Sequence, residues 1–141
     1  MNIYPDTSFL FSRYLADRHS SEVDRRMLLR PRVYVTPFHR AELANALFQW
    51  AFRGKILESE AQLAYANFEQ DCSIGVWIVT GQPEQAFSTC VALARQYVAT
   101  LGARRLDTLH VAAALELKAQ HFWTFDERQA GMAKAAGLTV A

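Results

Sequence analysis

The chain has 141 residues, 51% hydrophobic and 21% charged, which suits one folded domain and excludes both a disordered segment and a two-domain arrangement. Fifteen Lys+Arg against fourteen Asp+Glu leave a formal net charge of +1, so net charge neither demands nor excludes a nucleic-acid partner. Cys72 and Cys90 lack metal-ligand spacing and read as reduced residues, and no apolar run approaches the ~18 residues of a membrane span.

In chain order, short β-type runs alternate with longer helical ones. A first strand is expected at residues 2–4 and a helix at 8–15, with Thr7 or Ser8 as its N-cap. A second helix at 21–29 is ended by Pro31, and a strand follows at 33–35. Thr36-Pro37 supplies the cap and first position of a helix running to residue 53, with Gly54 at its end. The next helix spans 57–70, and Glu58 and Glu60 suit its positive N-terminus. Residues 76–79 form a continuously apolar strand of the kind buried on both faces. Helices at 83–100 and 106–118, a strand at 122–125, a helix at 127–136 stopped by Gly137 and a strand at 138–140 complete the chain. Strands alternating with helices imply a mostly parallel sheet of four to five short strands, covered by helices.

Four acids, Asp6, Glu42, Asp107 and Asp126, each lie where an apolar stretch gives way to a helical one. In a parallel α/β sheet such junctions gather at one edge, where ligands bind. Carboxylates brought together repel one another unless protons or hard cations intervene, so the pattern reads as a candidate Mg²⁺ site. Each acid also has a plain structural explanation. Asp6, Asp107 and Asp126 suit helix N-termini, and Glu42 shares a helical face with Asn45, Gln49 and Arg53. The basic residues Arg25, Arg26, Arg30, Arg32, Arg40, Arg53 and Lys55 concentrate in the first half, either as solvated helix faces or as a phosphate-binding surface. The start of the chain carries Asp6 and Arg13 in place of a basic-then-apolar signal pattern, which predicts a cytoplasmic protein.

Four segments carry a family resemblance. They are Asp6-Thr7-Ser8 after a strand, Ala41-Glu42-Leu43 inside a helix, the run from Arg105-Leu106-Asp107-Thr108 through His110 to Ala114, and Thr124-Phe125-Asp126. In order and spacing they resemble the signature blocks of PIN-domain nucleases, above all VapC-type toxins of toxin–antitoxin pairs, from end to end of the chain. The resemblance implies a single PIN domain over residues 1–141, a three-layer α/β/α sandwich. It also implies Mg²⁺- or Mn²⁺-dependent RNA cleavage, homodimerisation and neutralisation by a small antitoxin. The family's acidic quartet falls on Asp6, Glu42, Asp107 and Asp126, and its polar supporting positions on Ser8 and Thr124. Tyr4-Pro5 replaces the aliphatic residues usual before the first Asp and points to an early end of the first strand.

The chemistry follows from the residue types. Phosphodiester hydrolysis needs a deprotonated water and relief of charge on phosphate and leaving oxygens, and a carboxylate-held Mg²⁺ supplies both. On this assignment Asp6, Asp107 and Asp126 hold metal directly or through water. Glu42 either completes the site or orients the attacking water, and Ser8 and Thr124 steer carboxylates by hydrogen bonding. Arg104 and Arg105, beside Asp107, either neutralise phosphate or the acids or lie on a solvated loop.

His110 reads as a packed, hydrogen-bonded helix residue, and His19, His39 and His121 as surface or strand-edge residues. Trp50, Phe52, Trp77 and Trp123 are expected mostly in the core. Phe9, Phe11, Tyr14, Phe48 and Trp50 are candidates for an apolar groove that takes a partner helix or a dimer contact. Two other enzyme readings and one non-enzyme reading compete: a housekeeping PIN ribonuclease without an antitoxin, a phosphatase using Asp6 as nucleophile, and a non-catalytic PIN scaffold binding RNA or protein. The phosphatase is disfavoured because Ser8 stands where such sites carry a second acid.

Overall fold

A computed structural model describes residues 1–104 and 106–141; Arg105 lies outside the described residues. The strands are β1 (Asn2–Pro5), β2 (Arg32–Val35), β3 (Ile78–Val79), β4 (His121–Trp123) and β5 (Thr139–Val140). They form one five-stranded sheet in the order β3-β2-β1-β4-β5, and every neighbouring pair is parallel. β1 therefore sits at the centre, and the chain leaves it directly into the first acid.

Side chains alternate across a strand, and this alternation divides the core. Ile3 and Trp123 face one way, packing with Phe9, Leu43, Leu47, Phe68 and Trp77 of the first layer. Tyr4 and Phe122 face the other, against Leu109, Val111, Ala112, Ala113 and Met132. The first layer holds α1 (Thr7–Tyr14), α2 (Ser20–Met27), α3 (Pro37–Phe52) and α4 (Glu58–Ser73). The second holds α5 (Ala86–Leu93), a π-helical turn at Ala94–Val98, the short α6 (Ala99–Leu101), α7 (Asp107–Glu116) and α8 (Glu127–Ala135). Ala112, Ala113 and Ala114 are wholly buried, and their small side chains let α7 lie close on its neighbours. Among the described residues no helix is long and apolar enough to cross a membrane.

Several local expectations need correction. β1 does not end early: Pro5 pairs in register with Trp123, and its carbonyl accepts from His39 Nε2 at 2.8 Å. Proline lacks only the N–H, so its carbonyl remains free to bond. α1 is capped by Asp6, not by Thr7 or Ser8. The expected strand at 76–79 shrinks to Ile78–Val79 at the sheet edge, where Val79 is 48% exposed. Trp77 turns inward instead, and its indole donates to the Tyr14 hydroxyl at 2.6 Å. The single helix expected over 83–100 begins only at Ala86 and is interrupted by the π turn.

Candidate active site

The parallel order of β1, β2 and β4 sends the three strand–helix junctions that follow them to one edge of the sheet. There a cavity of about 400 Å³ is lined by Asp6, Glu42, Asp107 and Asp126 together. Arg104, which is exposed, and the polar groups of Thr7, Ser8, His110 and Gln129 complete its wall.

Asp6 leaves the end of β1 and is only 4% exposed. Its Oδ1 accepts from Ser8 Oγ at 2.6 Å and from the Phe9 amide at 3.0 Å, and its Oδ2 accepts from Thr124 Oγ1 at 2.6 Å. Burial pushes the carboxyl above the ordinary Asp range, and the Ser8 and Thr124 hydroxyls pull it only part of the way back. The two hydroxyls thus fix the orientation of this carboxylate from opposite sides.

Glu42 lies in the second turn of α3, a helix begun by a reciprocal cap between Thr36 and His39. Thr7 Oγ1 donates to Glu42 Oε1 at 2.6 Å, and His110 Nε2 is hydrogen-bonded to the same oxygen. Burial pushes Glu42 up, but the bonds from His110 and Thr7 outweigh it and hold the carboxyl below the ordinary Glu range. Asp107 opens α7, whose N-cap position is Leu106 and carries no side-chain cap, so Asp107 is not a capping residue. Its carboxyl is pushed up first by burial and then by the charges of Asp126, Glu42 and Asp6, with His110 opposing. Like charges therefore act on one another across the cavity. Asp126 does cap a helix, accepting from the Arg128 and Gln129 amides of α8 at 2.8 and 3.1 Å.

Several contributors escaped the sequence reading. His110 is packed as expected, but its Nδ1 also bonds the Tyr4 hydroxyl at 2.8 Å, linking the core to Glu42. Burial holds the Tyr4 phenol well above its usual value, so Tyr4 keeps its proton, and its hydroxyl and Glu42 bond opposite nitrogens of one ring. The i, i+3 spacing of Asp107 and His110 was the available signal, since it puts both on one helix face. Gln129, 4% exposed, donates to the Asp107 carbonyl at 3.2 Å and accepts from Thr124. Its signal was the Asp-x-x-Gln pattern of a helix start.

His39 is not at the surface. It is wholly buried, its Nδ1 accepts from the Thr36 amide at 3.0 Å, and burial holds its imidazole well below the ordinary value. Phe52 is not core either, being 87% exposed, whereas Trp77 and Trp123 are 1% and 6% exposed. Of the basic residues in the first half, Arg25 and Arg26 pair with Glu22, and Arg40 with Glu69. Of the expected groove aromatics, Phe9 is core, Tyr14 and Phe48 pack beside it, and Phe11 and Trp50 line a second cavity.

The PIN domain family model matches residues 3–135, nearly the whole chain. The chain belongs to the PIN domain family. No curated protein sequence matches it significantly. Among solved structures, this PIN domain is similar to VapBC2 from Rickettsia felis, bound to a DNA fragment from their promoter, at 13% identity and a TM-score of 0.70, covering 100% of this chain and 98% of that one. It is also similar to VapC20 of Mycobacterium tuberculosis, a sarcin-ricin loop cleaving toxin, at 17% identity and a TM-score of 0.69, covering 97% and 96%. FitAcB from Neisseria gonorrhoeae matches at 19% identity and a TM-score of 0.65, covering 98% and 95%. At these identities the likeness establishes the fold, a PIN fold with an all-parallel sheet.

Proposed function

We propose that this PIN domain is a metal-dependent endoribonuclease and the toxin of a toxin–antitoxin pair, with Asp6, Glu42, Asp107 and Asp126 as its catalytic acids. The observation that carries the reading is the placement of these four side chains around one cavity at the carboxyl edge of the sheet. VapC20, which shares the fold, is a sarcin-ricin loop cleaving toxin, and this supports RNA as the substrate class.

The donor set fits Mg²⁺ or Mn²⁺ in kind, since it consists of hard carboxylate oxygens whose charges act on one another. Among the described residues no three acidic, histidine or cysteine side chains converge closely enough, as they stand, to enclose an ion. That is compatible with Mg²⁺, which keeps several waters and uses few direct protein ligands. Asp107 and Asp126 would hold it, and Asp6 would join them from the end of β1, directly or through water. When bound, the cation lowers the pKa of a coordinated water and offsets charge on the phosphate.

The chain's own residues supply the rest. Ser8 and Thr124 fix the Asp6 carboxylate, while His110 and Thr7 keep Glu42 ionised and aimed at the cavity. An ionised Glu42 accepts a hydrogen bond from the attacking water and orients it. Arg104 stands at the mouth of the cavity to meet a phosphate oxygen. Arg105 is assigned the same role from its place in the sequence alone.

A cytoplasmic location, an antitoxin encoded beside the chain and a homodimer belong to the same reading. Phe87 and Val91, one turn apart on α5 and 60% and 58% exposed, provide apolar surface for such a partner. Purified protein incubated with single-stranded and structured RNA tests the catalytic part. Cleavage is expected with Mg²⁺ or Mn²⁺ and none in excess chelator; turnover that survives chelation rejects it. Growth arrest on expressing the chain alone, relieved by the neighbouring open reading frame, tests the toxin part against a housekeeping ribonuclease.

A further inference from the structure

A second cavity, of about 470 Å³, lies beside the acids and shares Thr7, Ser8 and Glu42 with the acidic cavity. Whatever fills it emerges directly at the catalytic groups. Its remaining walls change character: Phe11 of α1 and Ala46 and Trp50 of α3 make them apolar. Its size lies in the range of small-ligand pockets.

Resting on the ribonuclease reading, we propose that this cavity is a nucleobase pocket that holds the unpaired base next to the phosphate being cut, stacked against Trp50. Trp77 and Trp123 are buried in the core, whereas Trp50 is only half-buried. Its indole is held in place by Phe11, the two rings forming an edge-to-face pair with centroids 4.7 Å apart and planes at 67°. A pre-positioned aromatic in an open groove is what single-stranded RNA recognition uses, since every base has a face to stack.

The charges favour a base over a phosphate. Glu42 and Asp17 line the cavity, and an uncharged ring enters past them without the repulsion a phosphate would meet. The nearest cation sits on Trp50 itself: Lys55 Nζ lies over the ring, 5.0 Å from its centroid, and can turn to a phosphate flanking a base stacked on the other face. Asn45, one turn beyond Glu42 on α3, offers an amide with both donor and acceptor to a base edge.

The test uses a mixed-sequence single-stranded RNA in which one abasic ribonucleotide is moved stepwise past the cut site. At one position flanking the scissile phosphate, wild-type kcat/KM should fall roughly ten- to hundredfold. Trp50→Ala should lose a similar factor on intact RNA and lose nothing more on the abasic RNA. Trp50→Phe should keep most of the activity, which separates loss of stacking from loss of folding, and Asn45→Ala should change the preference among bases at that one position. Losses that multiply in the Trp50→Ala and abasic combination, or the absence of any sensitive position, overturn the pocket. So does a Trp50→Ala protein that cuts intact RNA at the wild-type rate, which would give the groove to a protein partner. A wild-type protein that cuts no RNA with Mg²⁺ overturns the ribonuclease reading itself and the pocket with it.

Discussion

His110 and Glu42, 68 positions apart in the chain, are hydrogen-bonded through the imidazole Nε2 and the carboxylate Oε1. The other ring nitrogen is hydrogen-bonded to the Tyr4 hydroxyl, so a buried tyrosine, a buried histidine and a half-exposed acid form one line from the core to the cavity. Such a line fixes where Glu42 points and which form it takes.

His110→Ala should therefore do two things. It leaves the Tyr4 hydroxyl buried without its partner, at a cost of roughly 1–3 kcal/mol, and it lets the Glu42 carboxyl drift back up towards the ordinary range. Tyr4→Phe, which removes the same bond without leaving an orphan on the tyrosine side, should cost about 1 kcal/mol. Urea melts of the three proteins check the order. A His110→Ala midpoint equal to wild type would show that the line carries no stability.

Asp6→Asn separates charge from hydrogen bonding. Thr124 can redirect its proton to Gln129 Oε1, already 3.2 Å away, and accept from the new amide. Burial disfavours the charged Asp6, so in chelator the Asn variant should be at least as stable as wild type. Asp6→Ala, which strips the cap of α1 and both hydroxyl partners, should cost roughly 1–3 kcal/mol. A marked loss of stability in the Asn variant would contradict this account of the bonding.

The pH dependence has a definite sign. The Asp6 and Asp107 carboxyls are raised in the folded protein, so the stability tied to them is present below their unfolded values of ~3.9 and is lost as pH rises through the folded ones. Glu42 is depressed and acts the other way: its contribution is present above ~4.3 and is lost as pH falls through the folded value. In chelator, the wild type should gain stability relative to Asp107→Asn as pH falls from about 7 towards 4. Denaturant melts across that range check it, and a difference that does not vary with pH would contradict the raised value.

The chain's central features were legible because they depend on local chemistry. An apolar run followed by Asp marks the ends of β1 and β4, and Thr36-Pro37 marks the start of α3. Parallel topology then gathers Asp6, Glu42 and Asp126, which follow β1, β2 and β4, whereas Asp107 follows α6 rather than a strand and reaches the same edge at the start of α7. Position within the sheet was not legible: residues 76–79 look like a central strand, but β3 has a neighbour only on the β2 side. Partners distant in sequence were hidden for the same reason, as with Glu42 and His110 or Thr124 and Asp6. His39 looked exposed because its burial rests on a bond to a carbonyl 34 positions earlier, which no local pattern encodes.

The shared metal site is tested most directly by thermal melts of wild type, Asp6→Asn, Asp107→Asn and Asp126→Asn, each in chelator and in Mg²⁺. Asp126 caps α8 and Asn caps about as well, so in chelator that variant should match wild type within about 0.5 kcal/mol. Mg²⁺ binding only the folded state should stabilise wild type by ~2.7 kcal/mol at a hundredfold excess over its dissociation constant. All three variants should lose most of that gain. Equal Mg²⁺ responses in the four proteins would contradict a common metal site and leave Asp6 and Asp126 as helix caps alone.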